Sequence, residues 1–128
     1  MENLNFSGHF ANPEAKVDVK VHLFQFEEDG NTIIYSPAFD LSGYGHSVEE
    51  ARQSFETTIA EFFNYTIIKK TLAKELNRLG WNVKATDVKK RKFRTPPLAQ
   101  LLTKNDYLIE IVNEKQFTKF DQTVSVPC

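Results

Sequence analysis

Residues 16–37 read KVDVKVHLFQFEEDGNTIIYSP, and their alternation sets the architecture. Val17, Val19, Val21 and Leu23 share one parity, while Asp18, Lys20 and His22 share the other, joined by Phe24 and Phe26. Period-two spacing with β-branched residues predicts a half-buried strand over 16–26. Glu27-Glu28-Asp29-Gly30 predicts a turn, because Asp-Gly supplies the positive φ that a tight hairpin needs. Residues 31–36, with Ile33, Ile34 and Tyr35, return as the partner strand, and Pro37 ends it. A third short strand is expected over 41–44, flanked by Gly43 and Gly45.

The next segment changes period. Ser47 with Glu50 three residues on is a capping box, in which each side chain satisfies the other residue's backbone N–H. Val48, Ala51, Phe55, Ile59, Phe62 and Phe63 then recur at helical spacing, with Glu49, Arg52, Gln53, Glu56 and Glu61 on the other side. This predicts an amphipathic helix on a sheet, its apolar stripe read as core, fraying near 64–66 where β-branched residues crowd. A second helix is expected over 69–79, with Leu72, Leu76 and Leu79 as its stripe, Gly80 closing it and Trp81 packing back. Residues 82–94 read as weakly extended and basic. Pro96-Pro97 opens a helical turn through Leu98, Leu101 and Leu102. Residues 106–113 fit helical spacing slightly better than alternation, and 123–126 read as a final strand, with Val124 and Val126 on one face and Pro127 ending it. Leu4, Phe6 and Phe10 suggest a short strand that Asn12-Pro13 breaks.

Three strands, then helices, then a strand predict an α+β fold: a small antiparallel or mixed sheet with helices packed on one face. At 128 residues this is one domain over 1–128, comprising a core 17–63, a helical and basic connector 67–113 and the terminal strand 117–127. Eleven phenylalanines argue for a packed core rather than disorder. A net charge of −1 excludes a globally basic nucleic-acid binder, though not a local patch. The single cysteine, Cys128, excludes an internal disulfide and a cysteine-rich zinc site. No basic segment followed by an apolar run is visible at the N-terminus, and no stretch is long enough to span a bilayer, so the expected location is the cytoplasm.

The order strand, acidic turn with Gly30, strand ending at Pro37, short strand, then Gly45-His46-Ser47-Val48-Glu49-Glu50-Ala51 opening a helix resembles the HicB-like antitoxin family. The resemblance covers residues 17–63 and rests on Gly30, Pro37, Gly45, Ser47, Glu50 and Ala51. It implies a reduced ribonuclease H-like fold and a non-enzymatic role: binding and masking a small ribonuclease toxin or another protein. Many such proteins also carry a C-terminal DNA-binding module. Here no helix pair follows the terminal strand, so a ribbon-helix-helix is not expected. An exposed edge strand suits pairing with a second copy, and a homodimer is the expected assembly.

The residue types offer little chemistry. A ribonuclease H-like hydrolase needs clustered carboxylates to hold two metal ions. Asp18 sits on a strand, whereas Glu50, Glu56 and Glu61 sit on the helix, with Glu50 used in the cap. His9, His22 and His46 lack metal-site spacing, and Asp40 with His46 reads as a loop contact. Ser36, Ser42 and Ser47 have no nucleophile-elbow pattern. No catalytic residue, metal site or cofactor is therefore assigned. The sharpest charge feature lies in 84–94, where Lys84, Lys89, Lys90, Arg91, Lys92 and Arg94 supply six of the 16 basic residues. Phe93 is interleaved as a ring that could stack on a base. This stretch is the candidate nucleic-acid contact and the rival to a protein partner.

Overall fold

A computed structural model describes residues 16–84 and 92–127. The strand suggested over 4–10, together with His9 and Cys128, lies outside the described residues. The elements run β1 (Lys16–Glu28), β2 (Asn31–Ser36), β3 (Leu41–Gly45), α1 (Val48–Ile68), α2 (Leu72–Arg78), β4 (Asn82–Lys84), β5 (Lys92–Arg94), α3 (Leu98–Lys104), α4 (Asp106–Glu114) and β6 (Phe117–Pro127). The main sheet is antiparallel throughout, in the order β3-β2-β1-β6, and β4 and β5 form a separate hairpin.

The β1–β2 connection is a two-residue turn. Asp29 and Gly30 both take positive φ, 52° and 79°, which matches the turn twist to that of the flanking strands. The terminal strand returns antiparallel along β1, pairing Lys16 with Pro127 through to Phe26 with Phe117.

The α+β class holds, but the helices cover both faces of the sheet rather than one. The two parities of β1 are both used. Val19, Val21 and Leu23 join Ile34, Val124 and Val126 under α1 and α2, packed by Ala51, Phe55, Ile59, Phe63, Leu72 and Leu76. Phe24 and Phe26 join Tyr35 on the reverse face, where Leu108 and Ile111 of α4 bury them. Leu98, Leu101 and Leu102 of α3 close that second core from the side. Two phenylalanines at consecutive same-face positions cannot be left to water at this density, and α3–α4 is the cover they need.

α1 does not fray at 64–66. Thr66 is 1% exposed, and its hydroxyl donates to the Phe62 carbonyl at 2.8 Å, so the β-branched side chain is absorbed by the helix itself. The break comes at Lys70, with φ 57°, where the Thr71 N–H reaches the Thr66 carbonyl at 2.8 Å. A left-handed residue at this position ends helices, usually as glycine. α2 is consequently shorter than expected and begins at Leu72. Its end follows expectation: Gly80 has φ 99°, and the Trp81 N–H bonds the Leu76 carbonyl at 2.9 Å. The Trp81 ring is buried against Phe39 at 5.1 Å, and its Nε1 donates to the Ala38 carbonyl at 2.7 Å.

Candidate functional site

Four of the family-like residues, Gly45, Ser47, Glu50 and Ala51, meet in one joint between β3 and α1. Ser47 is the N-cap, and its hydroxyl accepts from the Glu50 N–H at 3.2 Å. The reciprocal half of the box is displaced by one residue: the Glu50 carboxylate accepts from the His46 N–H at 3.2 Å. Ala51 is fully buried. Gly45 passes so close to the helix start that a Cβ there would lie 2.9 Å from the Ala51 nitrogen. Gly43, which sequence reading treated only as a flanking residue, is tighter still, since its missing Cβ would lie 2.6 Å from the Ala51 carbonyl. Pro37 is buried at the end of β2, and Gly30 sits in the hairpin turn. All of these residues serve folding, and none presents reactive chemistry.

The carboxylates of the hydrolase reading lie apart. Asp18 is on the α3–α4 side of β1, where it accepts from the Ser125 hydroxyl at 2.6 Å. Glu50, Glu56 and Glu61 ride on α1, on the opposite side of the sheet. Among the described residues, no three His, Cys, Asp or Glu side chains gather as a metal site would require.

The two ends of the basic stretch lie in β4 and β5, which pair antiparallel. Val83 pairs with Phe93 across β4 and β5, and both pack against the main core, so the Phe93 ring anchors the hairpin. Arg94 is exposed, whereas Lys89, Lys90 and Arg91 lie outside the described residues. Lys84 and Lys92 are register partners across the strand pair.

Sequence reading missed two polar constellations. Tyr35 donates to Asp40 at 2.7 Å and accepts from Asn105 Nδ2 at 2.8 Å, while Asn105 Oδ1 caps α4 at the Leu108 N–H. Burial pushes the Tyr35 phenol well above its ordinary value, so it stays a donor. This network fastens the α3–α4 pair to β2 and to the loop before β3. The second constellation lies on the sheet face that α3 and α4 leave open. His22 Nδ1 is 2.6 Å from Asp121 Oδ1, and Lys119 Nζ is 3.3 Å from the same oxygen. The pairing depends on the β1–β6 register, which no local pattern reveals.

The hydrogen bond from His22, followed by that from Lys119, holds the Asp121 carboxyl below its ordinary value. A carboxyl whose folded pKa is depressed favours the fold above its unfolded value, about 3.9, and loses that contribution as pH falls through the folded value. The stability of the wild type is therefore expected to fall more steeply below about pH 4 than that of Asp121→Asn. Urea midpoints measured from pH 6 to pH 2.5 check this, and parallel curves would contradict it.

A shallow groove of about 690 Å³ lies beside Phe26, Lys115 and Phe117, with the lysine paired to Glu28 at 2.9 Å. The outer side of α1 is acidic. Its four glutamates stand against one arginine, with Glu49 and Glu61 exposed, and it ends in exposed Tyr65 and Ile68, at 62% and 66%. Among the described residues, no helix is long and apolar enough to cross a membrane. Comparison of the chain with models of protein families, with curated proteins and with solved structures finds no match.

Proposed function

We propose that the chain is a non-enzymatic, HicB-like interaction domain that binds and masks a small basic protein, an antitoxin-like role toward a ribonuclease toxin. The observation that carries this reading is the outer side of α1. An acidic helix ending in two exposed hydrophobic side chains suits a cationic protein partner, with charge guiding encounter and the apolar end supplying contact. Four of the family-like residues support it indirectly, because Gly45, Ser47, Glu50 and Ala51 seat the start of that helix against the sheet. The expected location is the cytoplasm.

The rival reading is nucleic-acid contact through 84–94. It is favoured by the anchoring of the β4–β5 stem on the core, which holds the two ends of the basic stretch together. Affinity capture from the source cells, with and without nuclease, separates the two. The protein reading predicts a nuclease-resistant small basic partner. Its binding weakens at least about tenfold when Glu49, Glu56 and Glu61 become lysine, and is unchanged when Lys90, Arg91 and Lys92 become alanine. Material lost on nuclease treatment, or with the basic-stretch variant, would overturn it in favour of the rival.

A further inference from the structure

We infer that a second copy of this chain pairs along the outer edge of β6, antiparallel, with the two-fold axis at Phe120. This goes beyond the partner reading and does not rest on it, since α1 takes no part. β6 is 11 residues long and is paired along its whole length with β1 on one side, while no described strand lies on the other. A long open edge is a template for strand addition unless it is guarded by charge, proline or bulges. Here the guards are few: within β6, proline occurs only at Pro127, and the charges are Lys119 and Asp121 alone.

Those two charges select the register. Partners in an antiparallel pair share a face, so the two-fold must fall on a residue, and each residue then opposes its mirror position in the second copy. With the axis at Phe120, Lys119 of each copy faces Asp121 of the other. Within one chain the two groups already lie 3.3 Å apart, so four charges alternate in sign around the axis. An axis at Lys119 or Asp121 sets like charges against each other, which is destabilising. An axis at Gln122 leaves Lys119 against Ser125 and Asp121 against Thr123, with no ion pair.

The product is one continuous sheet of eight strands across two copies, since each sheet has four.

The test uses the full chain, by sedimentation velocity over a range of concentrations at low salt. The wild type is expected to dimerise. Lys119→Asp places acid against acid at both pairs, and Asp121→Lys places base against base, so each variant should dissociate at least about tenfold more readily. Mixing the two variants makes both pairs attractive again, and a heterodimer of wild-type strength is expected. Rescue by mixing cannot come from damage to either fold. In a Cys128→Ser background, Phe120→Cys should also form a disulfide between copies on mild oxidation, whereas Gln122→Cys should not. A wild type that stays monomeric, or variants that fail to recover on mixing, would overturn the inference.

Discussion

Replacing Phe63 with alanine is expected to destabilise the fold by about 3–5 kcal/mol. The ring is fully buried where α1 crosses the sheet, and it meets Phe39 edge-on at 5.5 Å and Phe62 at 5.6 Å. Phe39 in turn packs on Trp81, so a cavity at position 63 loosens the seat of α2 and of the β2–β3 loop together. Aromatic contacts of this geometry add to the area term, which places the loss at the upper part of the range. Urea unfolding followed by the fluorescence of Trp81 measures it directly. A loss below about 1 kcal/mol would mean that α1 does not rest on this ring.

Gly43→Ala is expected to cost about 1–3 kcal/mol or more, an unusual penalty for one methyl group. The added Cβ would stand 2.5 Å from the Phe55 Cα and 2.6 Å from the Ala51 carbonyl. Both are backbone atoms of α1, so no side chain can swing aside and the helix must lift. Lifting it opens the core above Ile34 and Val21. Gly30→Ala is the control. Nothing lies within 4 Å of a Cβ there, and its cost comes only from holding φ at 79°, about 1–2 kcal/mol. The two variants separate by mechanism. A high-pressure or hydrogen-exchange experiment should find α1 loosened in Gly43→Ala and unchanged in Gly30→Ala. Equal protection of α1 in both would contradict the close approach.

Local chemistry was legible wherever adjacent residues determine it. The Asp29-Gly30 turn, the Ser47 cap, the Gly80 stop and the start of α3 after Pro96-Pro97 all follow from residue type and spacing. The errors have physical causes. The division of α1 from α2 was misplaced because a lysine, not a glycine, takes the left-handed position at residue 70. The second helical layer was missed because Phe24 and Phe26 share a parity with Asp18, Lys20 and His22, so one strand face reads as polar at one end and apolar at the other. α3 and α4 cover only the apolar end.

The candidate site was less legible than the fold. Four residues of the HicB-like resemblance, Gly45, Ser47, Glu50 and Ala51, lie at the α1–β3 joint, and their closeness there is visible from spacing. The tightest contact of all, at Gly43, leaves no local signature, because close approach depends on where the helix lands. The His22–Asp121 and Tyr35–Asn105 contacts span 99 and 70 positions of chain, and only the strand register and the α4 cap create them. Phe93, read as a ring that could stack on a base, is partly buried and packs against the core from the β4–β5 pair.

Native mass spectrometry of the protein purified from its own cells, after nuclease treatment and a high-salt wash, bears most directly on the functional reading. The account predicts a species whose mass exceeds the chain by a small basic protein in equal stoichiometry, lost when Glu49, Glu56 and Glu61 carry the opposite charge. Only the bare chain, or a complex that the nuclease removes, would contradict it.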